Sequence, residues 1–195
     1  MTDDILTPEI ILSTAEDVLR RYGPGKATVV DVARALGVSH GSVYRHFTSK
    51  AALRDAVTER WLSRIAEPLE KVAAQGGSAS QRLATWLRLL VQSKHRRALD
   101  DPELFATYIA LVNDARQVVQ AHVVSLVSQL AHIIADGVQQ GEFHVDDVSK
   151  TARAIFDATT RFHNPIHAPE WRDPGNEAAF ESVLKLLMRG LVAQD

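Results

Sequence analysis

The sequence predicts an all-α chain in two parts, a short N-terminal helix-turn-helix unit of three helices and a larger C-terminal helical unit. Three observations carry this. Apolar residues recur at helical spacing through nearly the whole chain, with no period-2 stretch that would mark a strand. Helix starts and stops are written in residue types that cap. The segment Thr28–Lys50 packs two short helices around a glycine turn. The expected boundaries are 1–50 for the first domain, continuing into a linking helix over 49–67, and 51–195 for the second.

Each element has its own warrant. Thr7 and Pro8 suit the cap and first position of a helix over 8–22. Gly23-Pro24-Gly25 stops it. Thr28 caps the next helix with Asp31 as a capping-box partner, and Val29, Val32, Ala33 and Leu36 give it one apolar face. Gly37 ends it in the left-handed conformation. Ser39 caps a helix running to about Phe47, and Ser49 caps the linking helix. Leu53, Ala56, Val57, Trp61 and Ile65 form the inward stripe of that helix, and Pro68 predicts a kink or end near Glu67. Gln75-Gly76-Gly77-Ser78 is a loop.

Further helices are expected over 82–99, from Asp101-Pro102 onward, over 114–140 with Gly141 as its end, over 146–162 and over 177–193. Residues 163–175, with three prolines, read as irregular.

The helix after Ser39 carries chemistry on its outer side. Val43 and Phe47 are four apart and share a buried face. Arg45 then points almost opposite, with Gly41 and Ser42 beside it and His40, Tyr44 and His46 on the flanks. Arginine bonds guanine edges, serine bonds either base type, and glycine permits close approach. Tyr44, His46 and Lys50 suit phosphate oxygens. Residues 20–54 hold seven Lys and Arg against one acid, while the whole chain is −2. Such local basicity marks a nucleic-acid face. Thr28, Val29 and Ser39, at the starts of the two helices, complete the candidate DNA-facing set.

At these residues the chain resembles the TetR family of bacterial transcription regulators. The resemblance rests on Ala33-x-x-x-Gly37-Val38-Ser39, then Gly41-Ser42-Val43-Tyr44-Arg45-His46-Phe47, then Ser49-Lys50-x-x-Leu53, and it covers roughly residues 8–62. It implies a ligand-responsive DNA-binding regulator, a repressor acting as a homodimer on a palindromic double-stranded operator. It places contacts to bases or nearby backbone at His40, Gly41, Ser42 and Arg45, and phosphate contacts at Tyr44, His46 and Lys50. It also implies dimerisation through two C-terminal helices, here by Ile155, Phe180, Val183, Leu184, Leu187 and Leu191. The residues themselves show only helices apolar over wide faces, which equally suits burial on both sides within one chain.

Aromatic and apolar positions of the second part suggest a pocket for an unknown small-molecule effector: Trp86, Leu90, Phe105, Tyr108, Ile109, His122, Phe156 and Trp171. Each also suits an ordinary core. His163 and His167 are spaced to share a metal with Asp157 or Glu170, or to make plain loop hydrogen bonds; neither metal nor cofactor is expected.

No P-loop, nucleophile elbow, dinucleotide fingerprint or zincin motif is present, so an enzyme is not expected. The chain has no cysteine, which excludes disulfides and thiolate chemistry. Its start lacks an apolar signal region, and its apolar stretches read as short of the ~20 residues of a membrane span. A cytoplasmic protein is expected. The alternative is a helical small-molecule or metal sensor in which DNA binding is secondary.

Overall fold

A computed structural model describes residues 6–192. Ten α-helices and one 3-10 segment follow in chain order among the described residues, with no strand. They are α1 Pro8–Lys26, α2 Val29–Leu36, α3 His40–Tyr44, α4 Lys50–Ala73, α5 Ala79–Asp100, α6 Pro102–Asp114, α7 Arg116–Gln139, α8 Val148–Ala158, α9 Thr160–His163, the 3-10 segment Pro165–Arg172, and α10 Asn176–Leu191. The chain forms two compact units. One holds the residues up to Leu62 with Asp101–Gln120; the other holds Ser63–Asp100 and the residues from Ala121 on.

The first unit is built on local signals. Thr7 accepts from the Ile10 amide and Pro8 opens α1. Gly23, at φ 73°, breaks the helical path where the glycine-proline run predicts a stop, and one more turn follows to Lys26. The capping box at Thr28 and Asp31 is present in both directions. Gly37 ends α2 at φ 68°. The core joins Ile11, Leu19, Val32, Val43, Val57, Trp61 and Leu111, so α6 supplies part of its wall. Trp61 meets Tyr108 edge-on at 5.8 Å.

The second unit has its own core, including Leu69, Leu83, Trp86, Leu90, Leu130, Ile133, Phe156, Phe180 and Leu184. Several of its polar side chains are paired across helices. Trp86 donates to Gln129 at 2.9 Å. Arg82, 6% exposed, donates to the Ala73 carbonyl at the end of α4 and to Asp136 on α7. The carboxylate of Glu142, beyond α7, accepts from the amides of Ala79 and Ser80 and from the Ser78 hydroxyl. It therefore caps α5, whose first amides have no intrahelical acceptor.

Several expectations need correction. Helix α3 stops at Tyr44 rather than near Phe47, although the Phe47 amide still reaches the Val43 carbonyl at 3.0 Å. Pro68 neither ends nor caps α4, which runs on to Ala73. Pro68 lies on the exposed side, while Ile65, Leu69 and Ala73 are buried on the other. Loss of one ladder bond is offset by that packing.

The helix expected over 146–162 is interrupted at Thr159. Its buried hydroxyl donates to the carbonyls of Ile155 and Phe156, competing with the backbone ladder. The proline-rich stretch is ordered as a 3-10 segment. Helix α7 has a mean hydropathy of 1.6 over its most apolar 18-residue window, long and apolar enough to cross a membrane by length and composition. The reading that no apolar stretch approaches that length is thus too strong. Leu126, Leu130, Ile133 and Ile134 of this helix are buried in the core.

Gly137 on α7 was not singled out by sequence, yet a Cβ there would overlap the ring of Phe143, itself buried. The glycine lets the chain fold back tightly after Gly141, which sits at φ 73°.

Two stability tests follow from this packing. Gly137→Ala is expected to cost about 1–3 kcal/mol, the usual range for overpacking, read as a lower denaturation midpoint. The hydrogen bonds from Ser80 hold the Glu142 carboxyl down to about 2. A depressed carboxylate stabilises above its unfolded pKa and loses that contribution as pH falls through the folded one. Glu142→Ala should therefore melt lower than the wild type at pH 7. The gap should close as the pH falls from about 4.5 towards about 2.

Candidate nucleic-acid interface

Helix α3 is only five residues long, so its geometry is set by its ends and by one buried side chain. Ser39 caps it, accepting from the Ser42 amide at 3.2 Å. Val43 is fully buried (0% exposed) in the first unit's core, and Phe47 packs half-buried against the same core. With Val43 inward, Gly41 and Arg45 are exposed and Ser42 is half-exposed.

The outward side chains are tied to one another. Ser39 and Ser42 share a hydrogen bond of 3.0 Å between hydroxyls. The Arg45 guanidinium donates to the Ser42 hydroxyl at 3.3 Å. His40 meets Tyr44 edge-on with ring centroids 6.3 Å apart. This string limits the rotamers of Arg45 and lowers the ordering cost when it meets a partner. His46 is exposed just past the helix and Lys50 is half-buried at the start of α4. A Cβ on Gly41 would meet only the Ser39 hydroxyl at 3.7 Å, so that side is open to close approach.

Two candidates sit differently. Val29 is 5% exposed and its side chain belongs to the core; only its backbone is available at the start of α2. Thr28 is exposed, but its hydroxyl is engaged with Asp31 at 2.6 Å. That bond, with help from Arg34, holds the Asp31 carboxyl below its usual range. The basic run is also partly spent within the unit. Arg20 faces Asp101, Arg34 faces Asp31, and Arg54 faces Asp114.

The remaining candidates are divided. Phe105, Tyr108 and Ile109 belong to the core of the first unit, because α6 packs there. Trp86, Leu90 and Phe156 belong to the second unit's core. His122 is half-buried in the second unit, with its Nε2 buried. Trp171 stacks on His95 at 4.6 Å and lines a cleft of about 560 Å³ with Arg88, His95 and Phe180.

Of the residues expected at a subunit interface, Ile155, Phe180, Leu184 and Leu191 are buried within the chain, each at most 4% exposed. Their side chains fill the chain's own core. Val183 and Leu187 are half-buried, and Leu186, part of the wide apolar face of this helix but outside the expected interface set, is 71% exposed.

His163 and His167 go to different partners. His163 is buried with Nε2 on the Phe156 carbonyl at 3.2 Å, and His167 bonds Glu170 at 2.9 Å. Among the described residues no group of three or more metal-ligating side chains comes together.

Comparison with known proteins agrees with this geometry. Residues 11–57 match the family described as bacterial regulatory proteins, tetR family, and residues 79–184 match the tetracyclin repressor-like C-terminal domain. The HTH-type transcriptional regulator UidR of Escherichia coli K12 is 26% identical over 187 residues, covering 93% of this chain and 91% of UidR. The HTH-type transcriptional regulator TtgR of Pseudomonas putida is 25% identical over 153 residues, covering 75% and 73%.

Among solved structures, SmeT, the repressor of the Stenotrophomonas maltophilia multidrug efflux pump SmeDEF, superposes with a TM-score of 0.71. It is 18% identical, with 97% of this chain and 92% of SmeT covered. FadR from Bacillus subtilis, in complex with stearoyl-CoA, gives 0.68 at 20% identity, with 95% and 100% covered. These structures share the fold, and the two family matches together span the reading unit and the helical unit. The chain belongs to the TetR family of bacterial transcription regulators.

Proposed function

We propose that this chain is a homodimeric repressor that reads a palindromic operator with α3 and lets go when a small molecule fills its helical domain. One observation carries the reading: Arg45 stands exposed, held by Ser42, on the side of α3 opposite the buried Val43. In this reading Arg45, Ser42 and Gly41 meet base edges. Tyr44, His46, Lys50, His40 and the start of α2 at Thr28 and Val29 meet the phosphate backbone. Residues 1–50, carried on the helix over 49–67, read DNA; residues 51–195 take the effector and the partner subunit. SmeT, a repressor, and FadR, in complex with stearoyl-CoA, share the fold and make repression and effector binding natural roles for it.

A palindromic operator demands two reading heads about 34–36 Å apart, hence a two-fold dimer. The side of α10 best suited to a partner runs through Leu187, Val183, Gly190 and Leu186, which lie within about 100° of one another at 100° per residue. Leu186 is the exposed anchor, and at Gly190 an added Cβ would meet nothing within 4 Å. This face replaces the buried residues first expected there.

Two measurements test the reading. Arg45→Ala should cost about 1–3 kcal/mol on the operator and relax sequence preference. Lys50→Ala should weaken all DNA evenly and reduce the salt slope by about one. If Arg45→Ala leaves operator and random DNA affinities unchanged, α3 is not the reading helix.

Leu186→Glu alters an exposed site, so stability should stay within about 0.5 kcal/mol. Sedimentation should show a monomer, and operator affinity should fall. A dimer that persists would put the pairing face elsewhere.

A further inference from the structure

A serine hydroxyl has one hydrogen to give and two lone pairs to fill. Two such hydroxyls stand in series on the outer side of α3. Ser39 Oγ accepts from the Ser42 amide at 3.2 Å, which is its capping bond. It also shares a hydrogen bond of 3.0 Å with Ser42 Oγ, in which either atom can be the donor. Ser42 Oγ in turn accepts from Arg45 Nη2 at 3.3 Å. Ser39 and Arg45 are exposed and Ser42 is half-exposed, so the series lies open to a partner.

The shared bond can run in two directions. If Ser39 gives its hydrogen, both lone pairs of Ser42 are filled, one by Ser39 and one by Arg45. The Ser42 hydrogen then points outward and suits a base acceptor. If Ser42 gives its hydrogen to Ser39, Ser42 keeps one open lone pair and suits a base amino group. Each direction makes the same number of hydrogen bonds within the helix. The wild-type pair is therefore free to turn. Ser42 can meet guanine N7 or O6 and thymine O4 in one state, and the amino groups of adenine and cytosine in the other. The choice lies in what its neighbour three residues back can give or take.

We propose that Ser39 is a positioning residue for base recognition: through the shared hydrogen bond it sets whether Ser42 donates to the base edge or accepts from it. The inference rests on the reading of α3 as the DNA-reading helix, and adds the residue that decides what Ser42 can read. Ser39 itself contributes no base contact. A carboxylate only accepts, so Ser39→Asp holds the bond in one direction. Ser42 then gives its hydrogen inward and faces the base as an acceptor. Asp caps a helix about as well as Ser does, so α3 keeps its start.

The test selects bound sequences from a randomised duplex DNA library with the full-length protein and compares base preference position by position. At one position Ser39→Asp should raise adenine and cytosine over guanine and thymine by roughly 5-fold or more relative to the wild type, the lower end of what one good base contact discriminates. The same substitution made in a Ser42→Ala background should give no such gain. Ser39→Thr keeps a hydroxyl that can give and take, and should reproduce the wild-type preferences. A role confined to capping would leave all three profiles alike.

An unchanged profile in Ser39→Asp would overturn the proposal. So would a gain that persists without the Ser42 hydroxyl, or one that Ser39→Thr shares. Loss of all binding in Ser39→Asp would set residue 39 directly against the phosphates and overturn it as well. In each of these cases the wild type still enriches a sequence and the reading of α3 stands. A wild type that enriches no sequence would overturn that reading, and the proposal with it.

Discussion

The reading face depends on the burial of Val43. A five-residue helix has too few ladder bonds to hold its own orientation. What fixes α3 is one fully buried valine, seated in a core built by α1, α2, α4 and α6. Once Val43 points inward, the helical repeat sends Arg45 and Gly41 out. The Ser39 cap and the Ser42 bridge then hold Arg45 in few rotamers. Specificity at the surface is thus a consequence of packing below it. The aromatic contact of Trp61 with Tyr108 belongs to that same core.

The helical unit is held by a different device. Its helices are joined by polar groups that reach far along the chain. Arg82 links the end of α4 to α7, and Glu142 caps α5. Each satisfies backbone groups that would otherwise be orphaned at a helix end. His122 stands in contrast, because its buried Nε2 has no hydrogen-bond partner among the described residues.

How much of this was legible in the sequence follows the range of each interaction. Thr28 with Asp31, Gly37, Ser39 and Asp101 with Pro102 act within four residues, and their caps are all present as the spacing predicts. The outward placement of Arg45 needed only the helical repeat and the assumption that Val43 is buried. Pro68 was misread because its cost is local but its compensation, the burial of Ile65 and Leu69, is not. Thr159 broke a helix through hydroxyl bonds that no periodicity reveals. Glu142 reaches a helix end more than sixty residues away. Wide apolar faces at Phe180 and Leu184 could not be divided by pattern between the chain's own core and a partner. Only burial separates Leu184 from Leu186. Pattern could not tell pocket candidates from core for the same reason: apolar residues at helical spacing fill whichever core their helix joins.

An effector shifts a two-state equilibrium only by its differential affinity for the two states. By linkage, if an effector weakens DNA binding by some factor, DNA weakens effector binding by that same factor. Within the helical unit Trp86 on α5 bonds Gln129 on α7, and Arg82 on α5 bonds Asp136 on α7, so a ligand that displaces either helix acts against both bonds.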